Sequence, residues 1–145
     1  MAGHNKAIGG GGFHHVAIKV ANFDESVAFY TRAMGFVERT RWGEGNGRAI
    51  MLDCGDGNFF EIFAGAAPAS GEKPAGPPAS GSLVHVALRS DDVDGAIARA
   101  RAGGAEVTME PKDVAVPSQP PMTVRIAFCR APGGEVIEFF KHLDG

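Results

Sequence analysis

Apolar and polar residues alternate in the same order at two places in the chain, "HVAIKV" from His15 and "HVALRS" from His85. Alternation with a period of two marks a strand with one face on a core. In the first stretch Val16, Ile18 and Val20 share the core parity, and His15, Ala17 and Lys19 take the other. In the second, Val84, Val86 and Leu88 face the core and His85, Ala87 and Arg89 face away. His14 shares the core parity but lies at the frayed strand start, where a surface position is expected. These strands, over 14–20 and 84–89, each lead into helical spacing. Phe23, Val27, Tyr30 and Met34 lie on one face of a helix over 24–34, with Asn22 and Glu25 resembling a capping box and Gly35 placed as a C-cap. Val93, Ala96, Ile97 and Ala100 do the same over 92–102, before Gly103 and Gly104.

The chain is a duplication. Residues 15–30 align with 85–100, and "RAIMLDCGDGNFFEIF" aligns with "RIAFCRAPGGEVIEFF" over sixteen residues without a gap. The second match sets Glu61 on Glu138, Arg48 on Arg125 and Gly57 on Gly134. The offset grows from 70 to 77, which predicts seven extra residues in the proline-rich stretch 110–122. "GDGN" and "PGGE" are turns between the last two strands of each copy. Each copy therefore reads as a βαβββ unit, at 13–65 and 83–143, joined by a Gly/Pro/Ala linker at 66–82 and preceded by a flexible leader at 1–12 in which His4 is inert. The fold class is α+β: two tandem βαβββ units in one structural domain, whose sheets would form a cup if the units pair and curl about a common axis.

With 145 residues and a formal charge of −3, the chain suits one soluble domain and has no basic stripe for nucleic acid. No apolar run approaches the ~20 residues of a membrane span, and the leader has no apolar stretch that would act as a secretory signal. Cys54 and Cys129 show no C-x-x-C spacing, which excludes a disulfide framework or thiolate zinc site and fits a reducing, cytoplasmic home.

Strand parity puts His15, Glu61, His85 and Glu138 at equivalent positions on the face away from the helices. Singly, such a histidine packs at a strand edge and such a glutamate points to water. Four at repeat-matched positions would converge if the two units curl around a common axis, and two imidazoles with two carboxylates suit zinc, nickel, cobalt, iron or manganese. Lys19 and Arg89 lie on the same face, as receptors for an anionic substrate or as solvated rim charges. Arg48 and Arg125 read as rim charges paired with Glu44, Asp53 or Glu106. The 111–121 segment reads as a lid or a surface loop, and Trp42 as packing or part of the mouth.

The motifs "HHVAIKVANFDESVAFYTRAMGF", "FFEIF", "LVHVAL", "GGAEV" and "APGGEVIEFF" make residues 13–142 resemble the vicinal oxygen chelate superfamily, and within it the glyoxalase I-like (lactoylglutathione lyase-like) proteins. The resemblance implies one divalent metal per cup, held at His15, Glu61, His85 and Glu138, with nickel or cobalt favoured. It implies that Glu138 and Glu61 are also acid/base groups in proton transfer beside a chelated carbonyl, as in the hemithioacetal of a 2-oxoaldehyde and glutathione. It further implies a homodimer. Two positions depart from the glutathione-binding pattern: Lys19 stands where an arginine is usual, and Gly65 falls where an asparagine is usual. A CoA-thioester epimerase, an Fe(II) dioxygenase and a non-catalytic small-molecule-binding module are the alternatives on the same fold.

Overall fold

The computed structural model describes residues 3–68 and 75–144. Two units repeat one element order. The first runs β1 (His15–Lys19), α1 (Phe23–Ala28), a wider π-type turn (Phe29–Ala33), β2 (Val37–Trp42), β3 (Ala49–Gly55) and β4 (Asn58–Phe63). The second runs β5 (Val86–Arg89), α2 (Val93–Ala102), β6 (Glu106–Val116), β7 (Met122–Arg130) and β8 (Val136–His142). The sheets have matching orders, β1-β4-β3-β2 and β5-β8-β7-β6. In each, the first strand is parallel to the last and the other pairs are antiparallel. Both sheets curve and neither closes.

The alternation in β1 and β5 is obeyed: Val16, Ile18, Val86 and Leu88 turn inward, while His15, Ala17, Lys19, Ala87 and Arg89 stay exposed. β5 starts two residues later than expected, however, and Val84, read as core-facing, is 75% exposed. The helix expected over 24–34 is regular only to Ala28, after which it widens. There the Thr31 hydroxyl donates to the Val27 carbonyl, a local bond that competes with the helical ladder. The capping box does not form. Asn22 Nδ2 donates to Glu25 Oε2 and, across the units, to the Pro132 carbonyl. Gly35 does end the segment, at φ 73°. In α2 the Asp92 side chain caps the helix by accepting from the Gly95 N–H at 2.9 Å.

The seven-residue expansion is mostly strand rather than loop. β6 has eleven residues where β2 has six, and its pairing with β7 breaks register twice. Of the 111–121 segment, expected in a lid or surface loop, residues 112–116 pair with β7 and 117–121 form the connection between the strands. The linker's residues 69–74 and the leader's first two lie outside the described residues.

A common apolar core runs through both units: Phe29, Tyr30, Phe36, Leu52, Phe60 and Ile62 from the first join Val93, Ile97, Ala127, Ile137 and Phe139 from the second. The units meet through their helical sides. A Cβ on Gly103 would lie 2.3 Å from the Ala33 Cβ and 3.3 Å from the Phe29 ring. Ala33 and Gly103 are equivalent in the repeat, so the local two-fold axis passes through their contact. The seam is also tied by polar groups. The buried Tyr30 hydroxyl donates to Glu135 Oε1 at 3.0 Å. Burial pushes the Glu135 carboxyl above its ordinary value, and the hydrogen bond from Tyr30 partly offsets this.

Gly103→Ala is expected to destabilise the chain by about 1–3 kcal/mol through overpacking, with part of the loss restored when Ala33→Gly is added, as read by urea unfolding. Glu135 sets a pH dependence with a definite sign. Because its folded pKa is raised, the native state holds the proton longer than the unfolded chain, so stability falls as pH rises from the ordinary carboxylate range to the raised value. Glu135→Gln removes this slope. The stability of the variant relative to the parent is therefore expected to be greater at pH 7 than at pH 4.

Candidate functional site

The face of each sheet turned away from the helices carries a histidine and a glutamate side by side. In the first unit His15 pairs with Phe59 and Ala17 with Glu61, so the two side chains are diagonal neighbours on one face. In the second unit Ala87 pairs with Glu138, and His85, just before the strand, brings Nε2 to 2.9 Å from Glu138 Oε2. Both glutamates are nearly buried, at 8% and 7% exposure. Burial raises the Glu138 carboxyl above its ordinary value, and the adjacent His85 pulls it back. Among the described residues no side chain donates a hydrogen bond to Glu61. A carboxylate so shielded normally has a counter-charge or a metal, and two imidazole nitrogens with two carboxylates form a donor set of the kind divalent metals take. The residues fit the group as two half-sites.

Within one chain the halves stay apart. Among the described residues no three His, Cys, Asp or Glu side chains gather closely enough to hold a metal ion. Each face also carries aromatic rings. Trp42, 43% exposed, meets Phe63 edge-on at 6.3 Å, and Phe128 meets His85 edge-on at 5.4 Å.

His14 is exposed, as expected, yet it is not idle. Its Nδ1 lies 2.9 Å from His15 Nδ1, and its ring packs on Phe59. This contact holds the His15 ring, a role that strand parity could not reveal because His14 lies just before β1. Lys19 is exposed on the outer face of β1. Arg89 is paired with Asp56 at 2.9 Å across the units, but both groups are largely in water, where such a pair contributes little. Arg48 and Arg125 are rim charges with other partners than expected. They bind Asp24 at 3.0 Å and Asp94 at 2.6 Å, repeat-matched acids in the first turn of each helix, and Arg125 also binds Asp113 at 2.8 Å. Gly65 has φ 88°, and a Cβ there would sit 2.7 Å from the Asn46 carbonyl. The backbone demands glycine, so no side chain at this position can grip a ligand. Both cysteines are free, and burial pushes the Cys129 thiol up to about 11.

No helix among the described residues is long and apolar enough to cross a membrane. No curated protein matches the chain. Among solved structures it is similar to a glyoxalase family protein from Enterococcus faecalis, at 25% identity and a TM-score of 0.68, over 90% of this chain and 97% of that one. It is similar to TnmS3, an antibiotic binding protein from Streptomyces sp. CB03234, at 25% identity and a TM-score of 0.61, over 89% of this chain and 93% of that one. It also shares the fold of a glyoxalase I variant from Zea mays, at 21% identity and a TM-score of 0.65, covering 88% of this chain and 43% of that one. The family model of the Glyoxalase/Bleomycin resistance protein/Dioxygenase superfamily matches residues 12–139, and the chain belongs to that superfamily.

Proposed function

We propose that two copies of the chain pair so that the first unit of one faces the second unit of the other, closing a cup around His15 and Glu61 together with the partner's His85 and the partner's Glu138. The cup holds one divalent metal and serves a glyoxalase I-like lyase or isomerase acting on a small, anionic substrate such as the hemithioacetal of a 2-oxoaldehyde. The observation that carries this reading is a pair of nearly buried carboxylates, each beside a histidine on equivalent strands. Members of the superfamily typically bind a divalent metal, and the resemblance of the motifs favours nickel or cobalt over zinc, manganese or iron. When bound, the metal supplies Lewis-acid polarisation of adjacent substrate oxygens.

The chain's own groups do the rest. Glu138 and Glu61 stand where one carboxylate takes a proton from the carbon beside the carbonyl and the other returns one to the neighbouring carbon. The aromatic rings around them exclude water. Lys19 and Arg89 lie at the rim to meet a substrate anion, Arg89 exchanging its exposed partner Asp56 for it. Gly65 weakens the case for glutathione as the thiol. The two free cysteines suit a reducing compartment such as the cytoplasm.

A second reading, a non-catalytic module that sequesters a small molecule, draws on the aromatic faces with Trp42 at 43% exposure and on the similarity to an antibiotic binding protein. Metal-stripped protein reloaded in turn with nickel, cobalt, zinc and manganese separates the two readings. Metal-dependent turnover of the methylglyoxal–glutathione hemithioacetal supports the enzyme. Ligand binding without metal retention or turnover supports the module. In the enzyme, Glu138→Gln is expected to abolish turnover and weaken metal retention, while His14→Ala keeps turnover and lowers metal affinity by roughly tenfold, as loss of an outer hydrogen bond does.

A further inference from the structure

Two residues along β4 from Glu61, the pairing register lines up Lys19, Phe63, Ala49 and Trp42 side by side across the first sheet. They share the face of Glu61, because side chains of a strand alternate between its two faces. Ala49 is the small member of this row. The Trp42 and Phe63 rings on either side of it meet edge-on at 6.3 Å, which leaves Ala49 1% exposed and the indole 43% exposed. Two residues along β8 from Glu138, the second sheet repeats the row as Arg89, Phe140, Ile126 and Lys112. The two rows hold three cations and no acid. Among the described residues Lys19 and Lys112 have no acid within ion-pair distance, and Arg89 has the exposed Asp56.

We infer that these rows are the subsite for the part of the substrate beyond its reacting oxygens, and that this part is a flat aromatic ring carrying a carboxylate. The inference rests on the two-copy cup proposed above, in which each row faces the partner's matching row. Same-face neighbours on a strand are about 7 Å apart, so a ring packed on Trp42 and Phe63 adjoins atoms held at Glu61. An aromatic ring gains edge and face contacts with the indole and phenyl groups that an aliphatic chain of equal size does not. The Lys19 and Trp42 backbones are three strands apart, about 14 Å, a gap that their two long side chains and a fused two-ring acid fill. At the other end of the row the acid group meets cations alone, which favours an anion over its neutral analogue.

Trp42 is the sole tryptophan of the chain, so its indole N–H gives a single NMR signal that reports on this site. Titration of the full-length, metal-free, nitrogen-15-labelled protein with 2-naphthoate is expected to shift that signal saturably. Naphthalene-2-carboxamide, the neutral analogue, is expected to bind roughly three- to tenfold more weakly, and octanoate, an anion without a ring, roughly fivefold more weakly. Lys19→Met is expected to remove most of the preference for the acid over the amide. Trp42→Leu, followed by saturation-transfer NMR on the ligand, is expected to weaken 2-naphthoate and leave octanoate unchanged; the surface Lys19→Met keeps the test sound even if this variant fails to fold. Absence of a saturable shift, octanoate as tight as 2-naphthoate, or an unchanged preference for the acid in Lys19→Met would each overturn the inference. Metal retention is measured on the same protein. Naphthoate binding without metal retention upholds this subsite and removes the metal reading, and metal retention without naphthoate binding does the reverse.

Discussion

Ala33 and Gly103 touch where the helical segments of the two units cross, and the rest of the architecture depends on that contact. With a Cβ–Cβ approach of 2.3 Å if Gly103 carried a side chain, only glycine lets the backbones come so close. The close approach merges the helical sides of both units into one core containing Tyr30, Phe60, Ile97 and Phe139. Two small units, each too small to bury a large core alone, thereby share one. The same packing has a geometric consequence. Helices in the middle leave His15, Glu61, His85 and Glu138 on the sheet faces opposite the shared core.

Those outward faces are where the chain accepts unfavourable burial. Glu61 and Glu138 lie at 8% and 7% exposure among aromatic neighbours, and only Glu138 has an imidazole within hydrogen-bond distance. Carboxylates are rarely shielded to this degree without a counter-ion. In the proposed dimer, a surface with half a coordination shell and exposed rings, Trp42 among them, would meet its pseudo-symmetric counterpart on a second copy. In this account the partner supplies the missing donors and covers the rings in the same step. The duplicated sequence explains why one chain contains both complementary halves.

Much of this was legible in the sequence because a strand period of two leaves little freedom. The parity that placed His15 and His85 opposite Val16 and Val86 is the parity observed, and the repeat foretold two sheets of the same order. What escaped reading was set by contacts far apart in the chain. Asn22 was spaced to cap its helix but is drawn to the Pro132 carbonyl, 110 residues away. The Tyr30–Glu135 bond, 105 residues apart, had no local signal. The prolines at 111–121 suggested a loop, yet irregular pairing with β7 extends a long strand to Val116 and leaves only 117–121 between strands. Arg48 and Arg125 chose the repeat-matched acids Asp24 and Asp94, which the two repeat alignments contain separately but which only the folded chain brings together.

The claim that the site is completed by a second copy is tested most directly by mixing two defective chains. His15→Ala damages one half-site and Glu138→Gln the other, and each chain alone is expected to retain no tightly bound metal. After subunit exchange, a mixed dimer places the intact first unit of one chain against the intact second unit of the other. Equilibrium dialysis of the equimolar mixture is then expected to recover about a quarter of the parental metal sites, since random exchange makes half of the dimers mixed and each has one intact cup. No recovery after complete exchange would contradict the account and place each cup within a single chain.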